Sequence, residues 1–286
     1  VARLESDLVG FMREVLNGAE EVVGSATSGG TESCLLAVKA ARDDWRASHP
    51  QGCARLVAPV TVHAAFHKAA AYFDLELDLV PTTRDGVVDA ADVIDRLGDD
   101  VALVVLSAPS YPTAALDPVG QVADETAARG IRLHVDACIG GLVLPFWHRA
   151  GGEELPAWDF RVPGVTSVSA DLHKFGYSPK GASVLLHRGR DRQRTQFFAT
   201  TGWPGYPVVN PTILGSKSAG PLAAAWAITQ HLGVDGFTEL AGACMRATSA
   251  VRAAIDGIEG LRVVGEPVGP LLAVAADAEV APEQQV

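Results

Sequence analysis

No stretch of this 286-residue chain reaches the roughly eighteen consecutive apolar residues of a membrane-spanning helix. The most apolar piece, residues 221–229, reads better as a buried helix. Cysteine is scarce: the four, at positions 34, 53, 138 and 244, make no C-x-x-C pair. That excludes the usual zinc spacing and a disulfide framework, and reduced thiols are the simple reading. There is no long basic run, and 23 Lys+Arg against 34 Asp+Glu leave a formal net charge of −11. This argues against a nucleic-acid surface or an anionic membrane as partner. Internal repeats and low-complexity linkers are also missing.

What is present is a 48% hydrophobic chain, ample for a core, long enough for one large domain and a piece of another. Strand-like runs at 55–60, 101–106, 131–135 and 165–169 alternate with helical patterns at 4–16, around 63, and at 118–129. Such alternation implies a mostly parallel sheet covered on both faces. Residues 183–187 return as a further strand, and 221–232 and 236–258 read as helices. Together with the composition, this pattern fits a cytoplasmic α/β enzyme without choosing its chemistry.

Four groups could choose it. Lys174 follows the run Val165 to Ser169 and directly succeeds His173; Gly176, Pro179 and Gly181 then mark a loop. A lysine at a strand's C-terminal end faces the crevice where open α/β sheets bind ligands, although most lysines are surface residues. Asp136 ends the apolar run from Ile131 and precedes Ala137, Cys138 and the pair Gly140-Gly141; the plainer alternative is a helix cap. Residues 22–42 form a glycine- and hydroxyl-rich turn running into a helix. There Gly30 and Thr31 could meet a phosphate at the positive helix end, or Thr31 or Ser28 could simply cap it. That turn lacks the lysine of a Walker loop and the spacing of G-x-G-x-x-G. His63 heads a helical segment, as a stacking imidazole or an ordinary cap. An amine, a carboxylate, a phosphate cup and a flat ring are what pyridoxal phosphate chemistry needs: a Schiff base, a partner for the pyridine nitrogen, a phosphate site and a stacking group. A metal site of His134 and His173 with Asp136 ranks low, because His134 shares a face with Asp136 only on a regular strand.

The residues resemble a known family, the sphingosine-1-phosphate lyase branch of the group II pyridoxal-phosphate decarboxylases, of the aspartate-aminotransferase-like fold type I. The resemblance rests on Thr27 to Ser33, Val62 to Phe66 with Lys68 to Ala70, His134 to Cys138 with Gly140-Gly141, Ser169 to Asp171, His173-Lys174, Gly176-Tyr177, Pro179 to Gly181, Pro211-Thr212 and Gly215-Ser216. It implies a large domain over residues 1–257 with a mostly parallel seven-stranded sheet, in which the strand at 183–187 runs antiparallel, and the start of a small α+β domain over 258–286. It further implies that Lys174 carries the Schiff base, Asp136 pairs with the pyridine nitrogen, His63 stacks on the ring, and Gly30, Thr31 and His173 hold the phosphate. Gly215 and Ser216 would reach the cofactor of a neighbouring subunit, making a homodimer with shared sites. Lys180 matches a second lysine of the lyase branch, associated with proton transfer, which many amino-acid decarboxylases replace; its plain alternative is a solvated loop lysine.

Phe175 and Ser178 are mild departures from that pattern. Thr113 and Lys217 stand where the lyases commonly carry histidine and arginine, on what should be the substrate side. The implied reaction is cleavage of Cα–Cβ in a phosphorylated 2-amino-3-hydroxy substrate to aldehyde and phosphoethanolamine. The alternative is release of carbon dioxide from an L-amino acid, and a cofactor-free binding relative is a third reading. Eukaryotic lyases of this branch carry an N-terminal membrane anchor that this sequence does not show. The sequence begins at Val1 within a helical pattern and ends just after strand-like residues, so it reads as an internal stretch of a longer enzyme.

Overall fold

The structure is a computed structural model and describes residues 1–276. Helix α1 (Ala2–Val15) buries Leu8 and Met12 and leads into strand β1 (Val22–Thr27). Helix α2 (Gly30–Ser48), β2 (Arg55–Pro59), α3 (Ala64–Phe73), β3 (Glu76–Val80) and the short α4 (Ala90–Ile94) follow. Next come β4 (Val101–Ser107), α5 (Val119–Ala128), β5 (Arg132–Asp136), α6 (Leu144–Trp147), β6 (Ser167–Asp171) and β7 (Ser183–Arg188). After α7 (Arg190–Arg194) come the paired strands β8 (Phe198–Thr200) and β9 (Val208–Asn210) and the long α8 (Ala219–Asp256). An antiparallel pair, β10 (Leu261–Val263) with β11 (Val274–Ala276), closes the described chain.

The main sheet has seven strands in the order β1-β7-β6-β5-β4-β2-β3, with β7 antiparallel to both neighbours and the other pairings parallel. Every residue of β4, β5 and β6 is buried, as strands covered on both faces must be. One apolar cluster lies between the sheet and α1, α5 and α8, around Leu8, Met12, Val122 and Phe237. A second, around Val38, Phe66 and Leu103, lies beneath α2 and α3. This is the expected α/β fold-type I architecture, including the antiparallel β7.

Five elements depart from the sequence reading. Residues 22–27, read as part of a turn, are an edge strand, because Val22 to Thr27 pair in register with Arg188 to Ser183 of β7. Strand β3 and the β8–β9 pair are short and partly exposed, so they carry little of the apolar patterning by which a strand is recognised. The two helices expected at 221–232 and 236–258 run as α8, interrupted at Gly233 (φ 54°, ψ −166°), a backbone conformation that suits glycine. Beyond Gly257 the chain forms the β10–β11 pair; the polar residues 277–286, read with it as a beginning small domain, lie outside the described residues.

Candidate active site

Strands β1, β2, β4, β5 and β6 point the same way, so the loops after their C-terminal ends meet along one edge of the sheet. This is where open α/β sheets bind ligands, because each parallel strand delivers a loop to the same side. Two adjoining cavities of about 380 and 360 Å³ open there and share His63, Asp136, Cys138 and Lys174. The first also takes in Gly29, Gly30, Thr31, Asp171, His173 and Lys180; the second takes in Ser107, Pro109 and Tyr111. A hollow of about 400 Å³ around Phe11 and Trp158 contains none of these residues.

Lys174 is placed by a tight reversal after β6. The N–H groups of Leu172 and His173 both donate to the Ala182 carbonyl, at 3.1 and 3.2 Å, and the His173 ring meets the same oxygen through Nδ1 at 2.7 Å. Lys174 Nζ then lies 2.9 Å from Asp171 Oδ2; the lysine side chain is 35% exposed and the aspartate 2%. Burial pushes Lys174 down, but the Asp171 carboxylate, with smaller contributions from Cys138 and Asp136, outweighs it and leaves the ammonium above its ordinary value.

Asp136 is anchored through one oxygen. Its Oδ1 accepts from the Cys138 N–H at 3.0 Å and from Ser169 Oγ at 3.4 Å, leaving Oδ2 without a hydrogen-bond partner among the described residues. Behind it, His134 contacts Ser169 Oγ through Nε2 at 3.1 Å and Ser167 Oγ through Nδ1 at 2.9 Å. Burial, with the nearby His187, pulls His134 down to about 3, so the ring stays neutral and supports Asp136 without adding charge. His134 therefore braces the aspartate through Ser169, and the grouping of His134 and His173 with Asp136 as metal ligands does not form. Gly140 lets this loop cross that of β4, since any Cβ there would collide with the Ala108 carbonyl oxygen.

The glycine turn makes a close-fitting cradle. Gly29 sits at φ 154°, and a Cβ on Gly30 would lie 2.9 Å from both Asp171 carboxylate oxygens and from Cys138 Sγ. No side chain caps α2: its N-cap is Gly29, so Ser28 and Thr31 do not fill the capping role. The Ser28 N–H is instead taken by Glu32 Oε2 at 2.6 Å. Free helix N–H groups, a close-approach glycine and the exposed Thr31 hydroxyl suit an anion. His63 does cap α3, its Nδ1 accepting from the Ala65 N–H at 3.2 Å, and its ring still borders both cavities.

Gly215 and Ser216 do not join this group; they are exposed and border neither cavity. Their segment is tied down by the Leu214 N–H donating to Glu32 Oε1 at 3.1 Å. Lys217, expected on the substrate side, turns away to pair with Glu5 at 2.8 Å and the Ala26 carbonyl at 2.9 Å, joining α1 to β1. Thr113 is also turned from the cavities, bonding Ser110 Oγ at 3.0 Å beneath Gly86. The sequence reading assigned no role to Asp171, Glu32 or Cys34. Asp171 carries the signal that singled out Asp136, a carboxylate ending a buried strand. Glu32 and Cys34 lie within a helix and give no such signal. Cys34, Asp136 and Cys138 form the one buried group with metal-like spacing among the described residues, their ligand atoms within 4.8 Å of one another. The Cys138 thiol is pushed well up by its hydrogen bond with Cys34, by burial and by Asp136, which opposes ligation.

A parallel-sheet edge presenting an amine, a one-sided carboxylate, an imidazole and an anion cradle defines a cofactor-dependent α/β enzyme. The chain belongs to the pyridoxal-dependent decarboxylase family, whose conserved domain matches residues 1–274. It is 38% identical over 282 residues to the sphingosine-1-phosphate lyase of Dictyostelium discoideum, covering 97% of this chain and 52% of that protein. A probable L-tyrosine/L-aspartate decarboxylase of Methanothermobacter thermautotrophicus is 32% identical over 270 residues, covering 92% of this chain and 70% of that protein. The solved structure of a sphingosine-1-phosphate lyase of Burkholderia pseudomallei aligns with a TM-score of 0.93 at 38% identity, over 97% of this chain and 65% of that one. The chain spans about half the length of the curated lyases it matches.

Proposed function

We propose that this chain is the cofactor-binding portion of a pyridoxal-phosphate-dependent carbon–carbon lyase acting on phosphorylated 2-amino-3-hydroxy compounds. The observation that carries this reading is Lys180, which borders the same cavity as Lys174 and so puts a second amine within the site. The protein's residues suit the cofactor: Gly30 and Thr31 open α2 at the cavity with no side-chain cap on the helix, Asp136 Oδ2 has no hydrogen-bond partner among the described residues, and the Lys174 side chain is 35% exposed at the cavity wall. When bound, pyridoxal phosphate supplies an electron sink that weakens the bonds to the substrate's Cα.

Each residue then has one task. Lys174 Nζ would be the amine that anchors the cofactor. Asp136 would face the ring nitrogen through Oδ2 and favour its protonated form, with the carboxylate oriented by Ser169 and the Cys138 N–H. Gly30, Thr31 and His173 would hold the phosphate, and His63 would supply the stacking group. Lys180 Nζ takes the proton of the substrate's 3-hydroxyl, which has to leave for Cα–Cβ to break. Gly215 and Ser216 serve the site of a second copy in a homodimer, a reading supported by their exposure away from the cavities of their own chain. Four free cysteines fit a reducing cytoplasm. A division into a large domain over 1–257 and a small domain beginning at 258 fits the end of α8 at Asp256.

The similarity to a probable tyrosine/aspartate decarboxylase favours a second reading, decarboxylation of an L-amino acid. The two separate by product. With the complete protein and pyridoxal phosphate, a sphingoid-base phosphate should yield long-chain aldehyde and phosphoethanolamine, and Lys180→Gln should remove that activity. Carbon dioxide from L-amino acids without aldehyde from the sphingoid substrate would assign the chain to the decarboxylases.

A further inference from the structure

Asp171 has none of the tasks assigned above, yet it is the most enclosed carboxylate of the site. It ends β6 three residues before Lys174, with Oδ2 at 2.9 Å from Lys174 Nζ and 3.5 Å from His173 Nε2. Its other oxygen, Oδ1, is buried without a hydrogen-bond partner among the described residues. A carboxylate this enclosed persists as an anion only beside a cation, and Lys174 is the cation it touches. An ammonium has no lone pair, so Lys174 cannot attack an aldehyde until it sheds a proton. The base nearest to it is Asp171 Oδ2.

We propose that Asp171 holds Lys174 as an ammonium in the cofactor-free protein and accepts its proton at Oδ2 when the cofactor is captured. The step is one proton transfer from Nζ to Oδ2 that frees the nitrogen lone pair, and no other atom is exchanged. It rests on Lys174 being the anchoring amine. The other titratable groups around Lys174 are Asp136 at the end of β5 and Cys138 beyond it, Glu32 and Cys34 on α2, His63 before α3, Tyr111 after β4, and His173 and Lys180 on its own loop. Asp136 favours the ammonium too, but only through space; the hydrogen-bonded ion pair belongs to Asp171. Asp171 is thus a positioning residue that sets the pH at which Lys174 becomes nucleophilic.

The test is the titration of Lys174 itself. Reductive methylation of the cofactor-free protein with carbon-13 formaldehyde gives each lysine an NMR signal, and the one absent in Lys174→Arg belongs to Lys174. In the wild type its midpoint should lie above those of Lys68 and Lys180; a midpoint below them overturns the inference even if no variant folds. In Asp171→Asn the midpoint should fall by about one pH unit or more, the scale of a close charge partner. The rate of cofactor capture should move to lower pH by a similar amount, and Asp171→Glu should restore both. A Lys174 midpoint unchanged in Asp171→Asn, or capture slowed equally at every pH, would leave Asp171 a merely structural residue. If wild-type protein develops no visible band with pyridoxal phosphate, the anchoring role of Lys174 fails. A band lost in Lys174→Ala but with an unshifted pH profile in Asp171→Asn refutes this inference alone.

Discussion

The loops after β5 and β6 and the segment from β8 to Lys217 both carry residues expected at the cofactor, yet they are built in opposite ways. In the first region each polar group is fixed by a named neighbour within the chain: Asp136 by Cys138 and Ser169, Lys174 by Asp171, His173 by Ala182. In the second, Trp203 is 49% exposed, Tyr206 65% and Ile213 52%, and Gly215 and Ser216 lie open. A monomer rarely leaves so many large apolar side chains together in water. The contrast teaches that the loops after β5 and β6 hold their functional side chains through contacts within the chain, whereas the segment from β8 to Lys217 turns apolar side chains to solvent.

The sharpest way to break that comparison is to remove the anchor. Lys174→Ala should abolish the visible band of protein-bound pyridoxal phosphate and lower turnover by on the order of a thousandfold or more, as loss of a covalent catalyst does. Retention of the band would mean that another amine, with Lys180 the nearest candidate, serves as anchor. Asp136→Asn keeps the Oδ1 contact to the Cys138 N–H but removes the charge. It should lower kcat by roughly a hundredfold, the scale of losing one stabilising group in a dry site, with little change in the thermal midpoint. A large drop in that midpoint would recast Asp136 as a structural residue.

Gly30→Ala probes the cradle. The new methyl would press on the buried Asp171 carboxylate and Cys138 Sγ, at a cost of about 1–3 kcal/mol, with weaker cofactor binding as well. Denaturant melts with and without cofactor separate the two losses; equal stability in both forms would mean the cradle is looser than its geometry implies.

How legible all this was depends on where the information is stored. Strands β4, β5 and β6 could be read within one or two residues because burial on both faces demands apolar runs, and each ends in a residue that faces the site. Lys174, Asp136 and Gly30 stood out because the segments around them are rich in glycine, and His63 because it heads a helical pattern directly after a strand-like run. Strand β1 was hidden because its identity lies in pairing with β7, about 160 residues away, rather than in its own glycine- and hydroxyl-rich residues. Lys217 was misplaced for a similar reason: its partner Glu5 lies 212 residues distant, and no local spacing announces a contact of that kind. Asp171 was legible in principle, since it ends its strand as Asp136 does, but the lysine three residues on drew the eye.

A pH measurement sharpens the buried side of the comparison. Asp117 clasps the loop of the second cavity, its Oδ2 accepting from the Ser107 N–H at 2.7 Å and its Oδ1 buried without a partner among the described residues. Burial, with some contribution from Asp136, raises it from 3.8 to about 7. Between those two values the unfolded chain has lost this proton and the folded chain keeps it, so Asp117 makes stability fall as pH rises through that window and adds no further slope above it. The slope is on the order of 1 kcal/mol per pH unit. Asp117→Asn should remove this component while keeping an acceptor for Ser107, and unfolding curves at several pH values would reveal an unchanged slope if the clasp were solvated.

The smallest effect on the isolated chain should come from the outward segment. Trp203 and Tyr206 meet edge to face with ring centroids 4.8 Å apart, and beyond that contact both are largely in solvent. Replacing both with serine should therefore change the stability of a lone copy by only about 0.5 kcal/mol, the scale of ordinary surface substitutions. If the segment packs on a second copy, the same change deletes buried aromatic area from an interface, where such side chains dominate the energy. Sedimentation of the complete protein should then show a dimer dissociating at concentrations where the wild type does not, with cofactor affinity falling in step as Gly215 and Ser216 leave the neighbouring site. A variant that stays dimeric and fully loaded would mean that the exposed aromatics face something other than a second copy, and that the reacting half of the site needs no help from this segment.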